Sequence, residues 1–300
     1  MKKKLLSIQG PTASGKSELA IFLAGYFNAE ILSTDSRQFY KEMKIGTARP
    51  STNQLKKVKH HFVGTKSIHE DYNASDFESE ALKVIKELQT KDILPILVGG
   101  SGLYNDAVLE GFNPIPDIDF KVRDKIISDY EKYGLKPLLK QLEEMDNAYY
   151  KMVDKSNFRR VLRALEVSIC SGKPYSNFLS KERKERDFET IKIGITYPKN
   201  ILYQRIEKRC NEMLEKALID EVRSLYKYKS LTSLNTIGYK EFFDYFDNKI
   251  SYDKAIDKFK QHTRNYAKKQ MSWLRRDKEI KWFELEDKAK VLEYLKLRIA

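Results

Sequence analysis

The residues with the clearest chemical potential lie near the start of the chain, in a glycine-rich segment. The spacing G-x-x-x-x-G-K-S of a phosphate-binding P-loop is met by Gly10-Pro11-Thr12-Ala13-Ser14-Gly15-Lys16-Ser17. In such a loop the glycines let backbone N–H groups turn toward an anion, while the lysine contacts terminal phosphate oxygens and the serine hydroxyl contacts Mg²⁺. The pattern therefore predicts that Lys16 binds phosphate and that Ser17 binds a magnesium ion.

A carboxylate follows the next apolar run. Residues 30–36 have the pattern of a strand, and the polar cluster Asp35-Ser36-Arg37-Gln38 stands at its end. Because residues just past the ends of parallel strands line the ligand crevice of an α/β sheet, we expect Asp35 near the P-loop. The alternative roles of Asp35 are a helix N-cap and an indirect ligand of Mg²⁺.

A second glycine-rich turn follows another buried run, at residues 93–98. This turn, Gly99-Gly100-Ser101-Gly102, would bring backbone groups and the Ser101 hydroxyl close to a ligand beside the P-loop. No aspartate ends the run, although a second acid is often expected there in P-loop ATPases. The sequence therefore disfavours an ordinary ATPase.

Arginines cluster in a predicted helix at residues 158–171. Arg159 and Arg163 are one helical turn apart and share a face, and Arg160 lies between them. Guanidinium groups suit bidentate contacts with phosphate, so the cluster indicates a nucleic-acid contact. The alternative is an exposed face paired with a local acid, for which Glu166 is available.

A basic helix is predicted at residues 257–276. Three cations fall within one narrow arc of this helix and three aromatic residues on the opposite side: Arg264, Lys268 and Arg275 against Phe259, Tyr266 and Trp273. We expect the aromatic face to pack on the core, and the cationic face either to follow a nucleic-acid backbone or to face solvent.

The elements that must hold these groups form an α/β pattern. An apolar strand at residues 5–8 precedes the P-loop, and a helix with apolar residues at helical spacing follows it. From about residue 120 to residue 188 the chain is helical and charged, and a strand returns at residues 191–197. We therefore predict a P-loop NTPase-like α/β core with a parallel sheet, formed by residues 1–118 and 189–300. An inserted all-helical domain is predicted at residues 119–188, and the chain is expected to leave the core at Gly111–Asp117.

The composition restricts the class of protein. Hydrophobic residues make up 41% of 300 residues, enough for a buried core, and the formal net charge is +13. A basic surplus of this size favours a polyanionic partner, most simply nucleic acid. The two cysteines, Cys170 and Cys210, form no metal-binding motif and fit a reducing cytoplasm. No signal peptide is predicted, and no apolar run is long enough to span a membrane.

Further motifs occur in a fixed order along the chain. They are the P-loop, Asp35-Ser36-Arg37-Gln38, Ile45-Gly46-Thr47-Ala48-Arg49-Pro50, Leu97-Val98-Gly99-Gly100-Ser101-Gly102-Leu103-Tyr104, Arg160-Val161-Leu162-Arg163-Ala164-Leu165-Glu166-Val167, Gly238-Tyr239-Lys240-Glu241 and Thr263-Arg264-Asn265-Tyr266-Ala267-Lys268-Lys269-Gln270, followed by Trp273-Leu274-Arg275. In this order they closely resemble the tRNA dimethylallyltransferases, or isopentenyltransferases, of the bacterial MiaA family. The resemblance covers nearly the whole chain, from about Leu5 to Arg276.

The resemblance implies a transfer reaction on tRNA. The dimethylallyl group of dimethylallyl diphosphate would move to N6 of adenosine-37 in tRNAs that read codons beginning with U, and diphosphate would leave. The P-loop, a motif otherwise typical of nucleotide and ATP binding, would then hold the diphosphate of the isoprenoid donor together with Mg²⁺. The implied partners are the donor and the anticodon stem-loop, with adenosines at positions 36, 37 and 38. We expect a cytoplasmic monomer.

The resemblance also implies roles for residues of this sequence. Asp35 would accept the proton of N6, and Ser101 and Arg123 would contact the substrates. Lys16, the loop amides and Mg²⁺ on Ser17 would stabilise the leaving diphosphate. The tRNA would be held by Asp35, Ser36, Arg37, Gln38, Arg159, Arg160, Val161, Leu162, Arg163 and Lys240.

One motif departs from the pattern of the family, since Lys240 and Glu241 replace an Arg-Gln pair common in bacterial members. Lys240 would keep the charge of the arginine but lose its bidentate geometry. Two other functions remain open at this point. A P-loop kinase of a nucleotide or small metabolite would transfer phosphate from ATP, and a non-catalytic RNA-binding NTPase would tolerate the loss of Asp35.

Overall fold

The computed structural model describes residues 2–111, 118–179 and 184–299. By its internal contacts the chain divides into two units. The first comprises Met1–Glu110 with Glu185–Ala300, and the second comprises Gly111–Lys184. Apart from Gly111 itself, the predicted exit from the core at Gly111–Asp117 lies outside the described residues.

The first unit is built on a six-stranded sheet in which all neighbouring strands are parallel. Along the chain the strands are β1 Lys3–Gln9, β2 Ala29–Ser33, β3 His60–His61, β4 Leu94–Gly99, β5 Phe188–Ile195 and β6 Lys281–Phe283. Their order across the sheet is β3-β2-β4-β1-β5-β6. The predicted α/β class with a parallel sheet is confirmed.

Helices flank these strands and form the second unit. The N-terminal part of the first unit contains α1 Lys16–Ala24, α2 Thr52–Lys57, α3 Ala74–Thr90 and α4 Gly102–Leu109. The second unit contains α5 Phe120–Tyr133, α6 Leu135–Met145, α7 Asn147–Met152 and α8 Phe158–Ser171. The C-terminal part of the first unit contains α9 Lys199–Glu215, α10 Leu218–Leu225, α11 Lys240–Phe246, α12 Tyr252–Leu274 and α13 Lys288–Ile299. Within the described ranges, no helix combines the length and apolar character that crossing a membrane requires.

Burial on both faces of the sheet explains its apolar strands. In β1, Leu6 and Ile8 belong to a core with residues of α1, α9 and α12, whereas Leu5 belongs to a core with residues of α3 and α4. Successive side chains of a strand point to opposite faces, so a strand covered on both sides needs an unbroken apolar run. This is why the short runs of the sequence predicted buried strands.

The register of the sheet brings three loops to one edge. Gln9 of β1 pairs with Gly99 of β4, and Ser33 of β2 pairs with Val98 of the same strand. The segments that leave β1, β2 and β4 therefore begin side by side. In parallel α/β sheets this carboxyl edge carries the ligand-binding loops.

Strand β5 starts earlier than the sequence pattern indicates. It begins at Phe188, which pairs with Lys3 of β1, and not at Ile191. Phe188 is buried, but the exposed Glu189 beside it interrupts the apolar run and hides the start of the strand.

The second unit is helical among its described residues and has a core of its own. Ile126 of α5, Leu138 and Leu142 of α6, and Leu165 of α8 belong to this core. Helix α8 ends at Ser171, and Gly172 follows with φ of 67°, a conformation that glycine adopts without strain.

Candidate active site

The P-loop connects β1 to α1, which is the strand–loop–helix context that its motif requires. Gly10 and Gly15 have φ of 152° and 87°. A Cβ on Gly10 would lie 2.5 Å from the carbonyl oxygen of Ile195, so only glycine permits this approach. Lys16 opens α1, and its Nζ donates to the Pro11 carbonyl at 2.6 Å, which holds the ammonium group at the loop.

A cavity of about 90 Å³ lies beside the loop, and we refer to it as the P-loop cavity. Its lining contains a polar set, Thr12, Lys16, Ser17, Asp35 and Arg209, and an apolar set, Ile31, Ala48, Pro50 and Val98. Polar groups that fix one end of a ligand and apolar groups that cover the other are typical of small-molecule sites. The cavity therefore offers cationic groups to an anion and apolar surface to a hydrocarbon group.

The charges in the P-loop cavity favour an anion. Burial, followed by the charge of Arg209, lowers the pKa of Lys16 to about 7, while the carboxylate of Asp35 acts in the opposite direction. Burial also lowers the pKa of Arg209, and Asp35 again opposes this shift. An anion bound between the two cations would favour their charged forms, so the site gains charge complementarity when a polyanion enters.

Asp35 lies where two cavities meet. A second cavity of about 220 Å³, the adjacent cavity, shares Thr12, Asp35, Arg209 and Tyr266 with the P-loop cavity. The Asp35 carboxylate oxygen Oδ1 accepts the backbone N–H of Arg37 at 3.0 Å. Its Oδ2 accepts no hydrogen bond from any residue in the described ranges. One carboxylate oxygen thus fixes the turn, and the other is available to a ligand.

The rest of the predicted Asp35-Ser36-Arg37-Gln38 cluster is tied to surrounding loops. Gln38 lines the P-loop cavity, and its Nε2 donates to the Thr47 carbonyl at 3.1 Å. Ser36 and Arg37 line the adjacent cavity. The Arg37 guanidinium donates to the Ser233 carbonyl at 2.9 Å, so part of its hydrogen-bonding capacity stabilises a loop of the protein.

Gln270 of α12 joins the P-loop to the second glycine-rich turn. Its Oε1 accepts the Thr12 N–H at 2.8 Å, and its Nε2 donates to the Gly100 carbonyl at 2.9 Å. The predicted site residue Ser101 follows Gly100, and its side chain lowers the pKa of the Tyr266 phenol, against the larger effect of burial. The turn is therefore held beside the P-loop by a side chain from the far end of the chain.

The aromatic residues of α12 correct the prediction that all three pack on the core. Tyr266 and Trp273 are 38% and 36% exposed. Tyr266 lines both cavities, and burial together with the charge of Asp35 raises the pKa of its phenol. The Trp273 Nε1–H donates to Asp106 of α4 at 2.9 Å, so the indole is bound to a neighbouring helix and not packed in the core. The buried positions are Ala255, Phe259, Ala267, Gln270 and Leu274.

Lys240 lies at a third cavity of about 730 Å³, which we refer to as the lysine cavity. Its lysines are Lys229, Lys240, Lys249, Lys258 and Lys269. Lys229 and Lys249 pair with Asp247, whereas the described part of the chain offers no ion pair to the other three. Tyr266 also lines this cavity, so the lysine cavity borders the two cavities beside Asp35.

In the second unit, Arg123 and Arg163 both bind Glu166. Arg123 contacts the two carboxylate oxygens at 2.8 and 3.0 Å, and Arg163 contacts one of them at 2.8 Å. The Glu166 side chain is 0% exposed, so this charge needs both partners. Arg123, predicted to contact substrate, is engaged in holding α5 to α8, and Arg163 makes the local ion pair that was its alternative role.

Two of the residues predicted to hold tRNA lie in the core of the second unit. Val161 and Leu162 are 0% and 9% exposed. They occupy the apolar face of α8 and are not available to a macromolecule, so this part of the prediction is wrong. Arg159 and Arg160 lie on the exposed side of the same helix.

An arginine pair on α9 also contacts the site, although it belongs to none of the motifs described above. Arg205 Nε donates to the Ala13 carbonyl of the P-loop at 2.9 Å, and Arg209 lines both cavities. The two residues are four apart and share a helix face, a signal that the sequence does contain. Gln270 belongs to a sequence motif, but its partner Thr12 lies 258 residues away, so no local pattern indicates its role.

Comparison with known proteins adds a family to this geometry. A family model described as IPP transferase matches residues 38–277. The chain is 44% identical over 294 residues to tRNA dimethylallyltransferase 1 of Bacteroides thetaiotaomicron, covering 98% of this chain and 96% of that protein. It is 47% identical over 281 residues to tRNA dimethylallyltransferase 2 of Azobacteroides pseudotrichonymphae, covering 94% and 92%.

Solved structures give a consistent result. The full-length tRNA isopentenylpyrophosphate transferase of Bacillus halodurans superposes with a TM-score of 0.74 at 33% identity, covering 100% of this chain and 97% of that one. A eukaryotic dimethylallyltransferase described as acting on tRNA superposes with a TM-score of 0.76 at 28% identity, covering 91% and 70%.

Proposed function

Because the chain belongs to the IPP transferase family, we propose that it transfers a dimethylallyl group from dimethylallyl diphosphate to N6 of adenosine-37 in tRNAs that read codons beginning with U. Diphosphate is the second product. The enzyme is a prenyltransferase, like the curated relatives that match it over nearly their whole length. The kinase alternative is not favoured by these matches, and the non-catalytic alternative gains no support from them.

One observation carries the proposal: a carboxylate lies between two cavities, one of which holds two cations. Asp35 lines both the P-loop cavity and the adjacent cavity, and its Oδ2 is available. A transferase needs a base next to the bond that it makes and an anion site next to the bond that it breaks. Asp35 supplies the first and the pair Lys16 and Arg209 supplies the second.

The donor is proposed to occupy the P-loop cavity. Its diphosphate lies against Lys16, Arg209 and the amides of the loop, which also receive the partial positive charge of the α1 N-terminus. Its five-carbon chain is covered by the apolar residues of the same cavity, Ile31, Ala48, Pro50 and Val98.

A magnesium ion fits the donor side of this site. The Ser17 hydroxyl offers a hard oxygen ligand at the P-loop cavity. The described residues contain no group of three or more His, Cys, Asp or Glu side chains that could hold a metal alone. Mg²⁺ commonly takes one or two protein ligands together with substrate phosphates and water, so Ser17 and the diphosphate are its proposed ligands. When bound, the ion neutralises part of the charge of the diphosphate.

The reaction balances with these groups. The lone pair of N6 attacks the allylic carbon of the donor, and the bond from that carbon to the diphosphate oxygen breaks with its electron pair leaving on diphosphate. Asp35 accepts the proton that N6 loses as the new C–N bond forms. Lys16, Arg209 and the loop amides stabilise the negative charge that grows on the leaving group.

The tRNA is proposed to approach from the lysine cavity. Adenine must leave its stack to reach Asp35, as in other enzymes that act on a base. Lys240, Lys258 and Lys269 would then contact phosphates of the neighbouring nucleotides, and Tyr266 would offer an aromatic face to a base. In the second unit the exposed Arg159 and Arg160 are proposed to contact the anticodon-loop backbone.

We also propose that the enzyme works as a monomer in the cytoplasm. Both cysteines, Cys170 and Cys210, are free thiols. Free thiols fit a reducing compartment, in which the tRNA substrate is also available.

The test is a transfer assay with three tubes. The purified protein is incubated with Mg²⁺, labelled dimethylallyl diphosphate and an anticodon stem-loop that carries adenosines at positions 36, 37 and 38. A second tube replaces adenosine-37 by guanosine, and a third supplies γ-labelled ATP instead of the labelled donor. We expect label in RNA only in the first tube.

Two results would contradict the proposal. Label that enters the guanosine-37 RNA equally well would exclude N6 of this adenosine as the acceptor. No transfer to RNA, together with movement of phosphate from ATP to a small acceptor, would identify a kinase.

A further inference from the structure

The side chain of Glu221 on α10 fills a nest of backbone N–H groups in a loop that borders the P-loop cavity. Its Oε2 accepts the N–H groups of Lys44 at 2.9 Å and Ile45 at 2.8 Å, and its Oε1 accepts the N–H of Gly46 at 3.0 Å. Three successive amides that point at one carboxylate form a charged hydrogen-bonded clamp. Residues 44–48 are therefore held by a helix that lies far away in the sequence.

Tyr239 completes this clamp. Its buried phenol donates to Glu221 Oε1 at 2.7 Å, and burial, followed by the charge of Glu221, raises the pKa of the phenol. The phenol therefore stays a donor throughout the physiological pH range. Gly46 lies on the Tyr239 ring so closely that a Cβ would be 2.5 Å from a ring carbon. Four hydrogen bonds thus engage both oxygens of Glu221. Only glycine at position 46 allows the loop to approach the Tyr239 ring this closely.

The clamped loop reaches Asp35 through a short chain of hydrogen bonds. The Thr47 carbonyl accepts Gln38 Nε2 at 3.1 Å, and Gln38 Oε1 accepts the Ser33 hydroxyl at 3.2 Å. The same Ser33 oxygen accepts the backbone N–H of Asp35 at 3.3 Å. The loop also contributes Ala48 directly to the lining of the P-loop cavity. Movement of the loop would therefore change both the cavity wall and the turn that carries Asp35.

We propose that Glu221 is a positioning residue for the transfer reaction. It holds residues 44–48 against the P-loop cavity, so that the apolar chain of the donor meets a preformed wall and the Asp35 turn keeps its place. Glu221 is not part of the described lining of the P-loop cavity or the adjacent cavity, so it acts through the loop and not on a substrate. The inference rests on the proposed function in one respect, the identity of the donor.

The neighbouring acid Asp220 separates this role from a simpler one. Both acids lie in the first turn of α10, where a negative charge is stabilised by the helix dipole. Asp220 is exposed, whereas Glu221 makes the four bonds described above. Asp220→Asn removes the same charge from the same turn without touching the loop, which makes it the matched control for Glu221→Gln.

The first measurement follows the loop and needs no substrate. Hydrogen–deuterium exchange of a peptide that covers residues 44–48 is recorded for the wild type, Glu221→Gln, Tyr239→Phe and Asp220→Asn. Glutamine offers a single acceptor oxygen and places an NH₂ group against backbone donors, so we expect much faster exchange in Glu221→Gln. Tyr239→Phe keeps the ring and loses one bond, so we expect a smaller increase, and Asp220→Asn is expected to match the wild type.

The second measurement follows the donor. Affinity for dimethylallyl diphosphate with Mg²⁺ is measured by calorimetry, and KM and kcat are measured with the stem-loop. We expect Glu221→Gln to weaken donor binding roughly tenfold, Tyr239→Phe to weaken it less, and neither to change the KM for RNA. The wild type and Asp220→Asn are expected to bind the donor equally.

The outcomes separate this inference from the proposed function. Faster exchange in Glu221→Gln with unchanged donor affinity would make the clamp merely structural and overturn the inference. Unchanged exchange in Glu221→Gln would overturn it as well, whether or not the wild type transfers label to RNA. If Glu221→Gln does not fold, the same two measurements on Tyr239→Phe, exchange of residues 44–48 and donor affinity, test the inference. A wild type that binds no donor would refute the proposed function and, with it, the positioning role.

Discussion

Lys16 and Arg209 line the same cavity, and the charge of Arg209 is the second cause, after burial, that lowers the pKa of Lys16 to about 7. The first residue belongs to a motif near the start of the chain, and the second lies on α9. Two cations that line one cavity repel each other, and a bound anion offsets this repulsion. The site is therefore arranged for a ligand with more than one negative charge.

This relationship predicts a pH dependence of donor binding. Lys16 is charged below its pKa, so the affinity for dimethylallyl diphosphate is expected to fall as the pH rises above about 7. The decrease should approach tenfold per pH unit well above that pKa. Arg209→Gln removes a charge that lowers the pKa of Lys16. That pKa is therefore expected to rise, and the donor affinity is expected to begin to fall at a higher pH. Calorimetry from pH 6 to pH 9 measures both profiles.

A neighbouring variant provides the control for this experiment. Lys208→Gln makes the same charge change at an exposed position on α9. Titration of the diphosphate itself is common to all three proteins, so a difference between profiles reports on Lys16. A profile of Arg209→Gln that coincides with that of the wild type would contradict the coupling.

Asp35 is expected to be required for turnover but not for RNA binding. Asp35→Ala removes the proposed base, and the expected loss is at least about a hundredfold in kcat. Asp35→Asn keeps the acceptor for the Arg37 N–H and should lose as much, because an amide is not a base at neutral pH. Fluorescence anisotropy with the stem-loop is expected to give the wild-type affinity. Unchanged turnover in either variant would exclude Asp35 as the base.

The sequence predicted those features that depend on neighbouring residues. The P-loop, strands β1, β2 and β4 and the ends of α8 follow from spacing within a few residues, as do the positions of Asp35 and Ser101 after buried strands. The short edge strands β3 and β6 were not predicted. The first residues of β5 are not predicted, because the exposed Glu189 interrupts its apolar pattern.

The features that were not predicted depend on contacts distant in the sequence. Gln270 binds Thr12, and Glu221 binds three amides near Gly46, each across a separation that no periodicity reveals. The ion pair of Arg123 with Glu166 was not predicted for a related reason. Glu166 is buried, and the burial of an acid is not visible in a sequence without its fold.

Gln270 is expected to set the relative position of the two glycine-rich loops. Gln270→Glu keeps an acceptor for the Thr12 N–H but places a second oxygen against the Gly100 carbonyl, which now lies 2.9 Å from a donor nitrogen. We expect about tenfold weaker donor binding, measured by calorimetry. Gln261→Glu, at an exposed position of the same helix, makes the same chemical change and should have no effect. Equal losses in both variants would point to the added charge and not to the bridge.

Arg159 and Arg160 are expected to contribute to RNA affinity through phosphate contacts. Replacing both with glutamine removes two cations from the exposed side of α8, while the buried ion pair of Glu166 with Arg163 remains. Each lost phosphate contact to a single strand should reduce the slope of log K against log salt by about 0.7.

The matched variant replaces Lys136 and Lys140, which are exposed on α6 of the same unit. Stem-loop affinity is measured between 50 and 200 mM salt, a range over which such contacts change binding strongly. We expect a reduced slope only for the arginine variant, because phosphate contacts depend on where a charge lies and not only on the net charge. The same reduction in both variants would mean that the RNA responds to the overall charge of the second unit, and Arg159 and Arg160 would lose their assigned role.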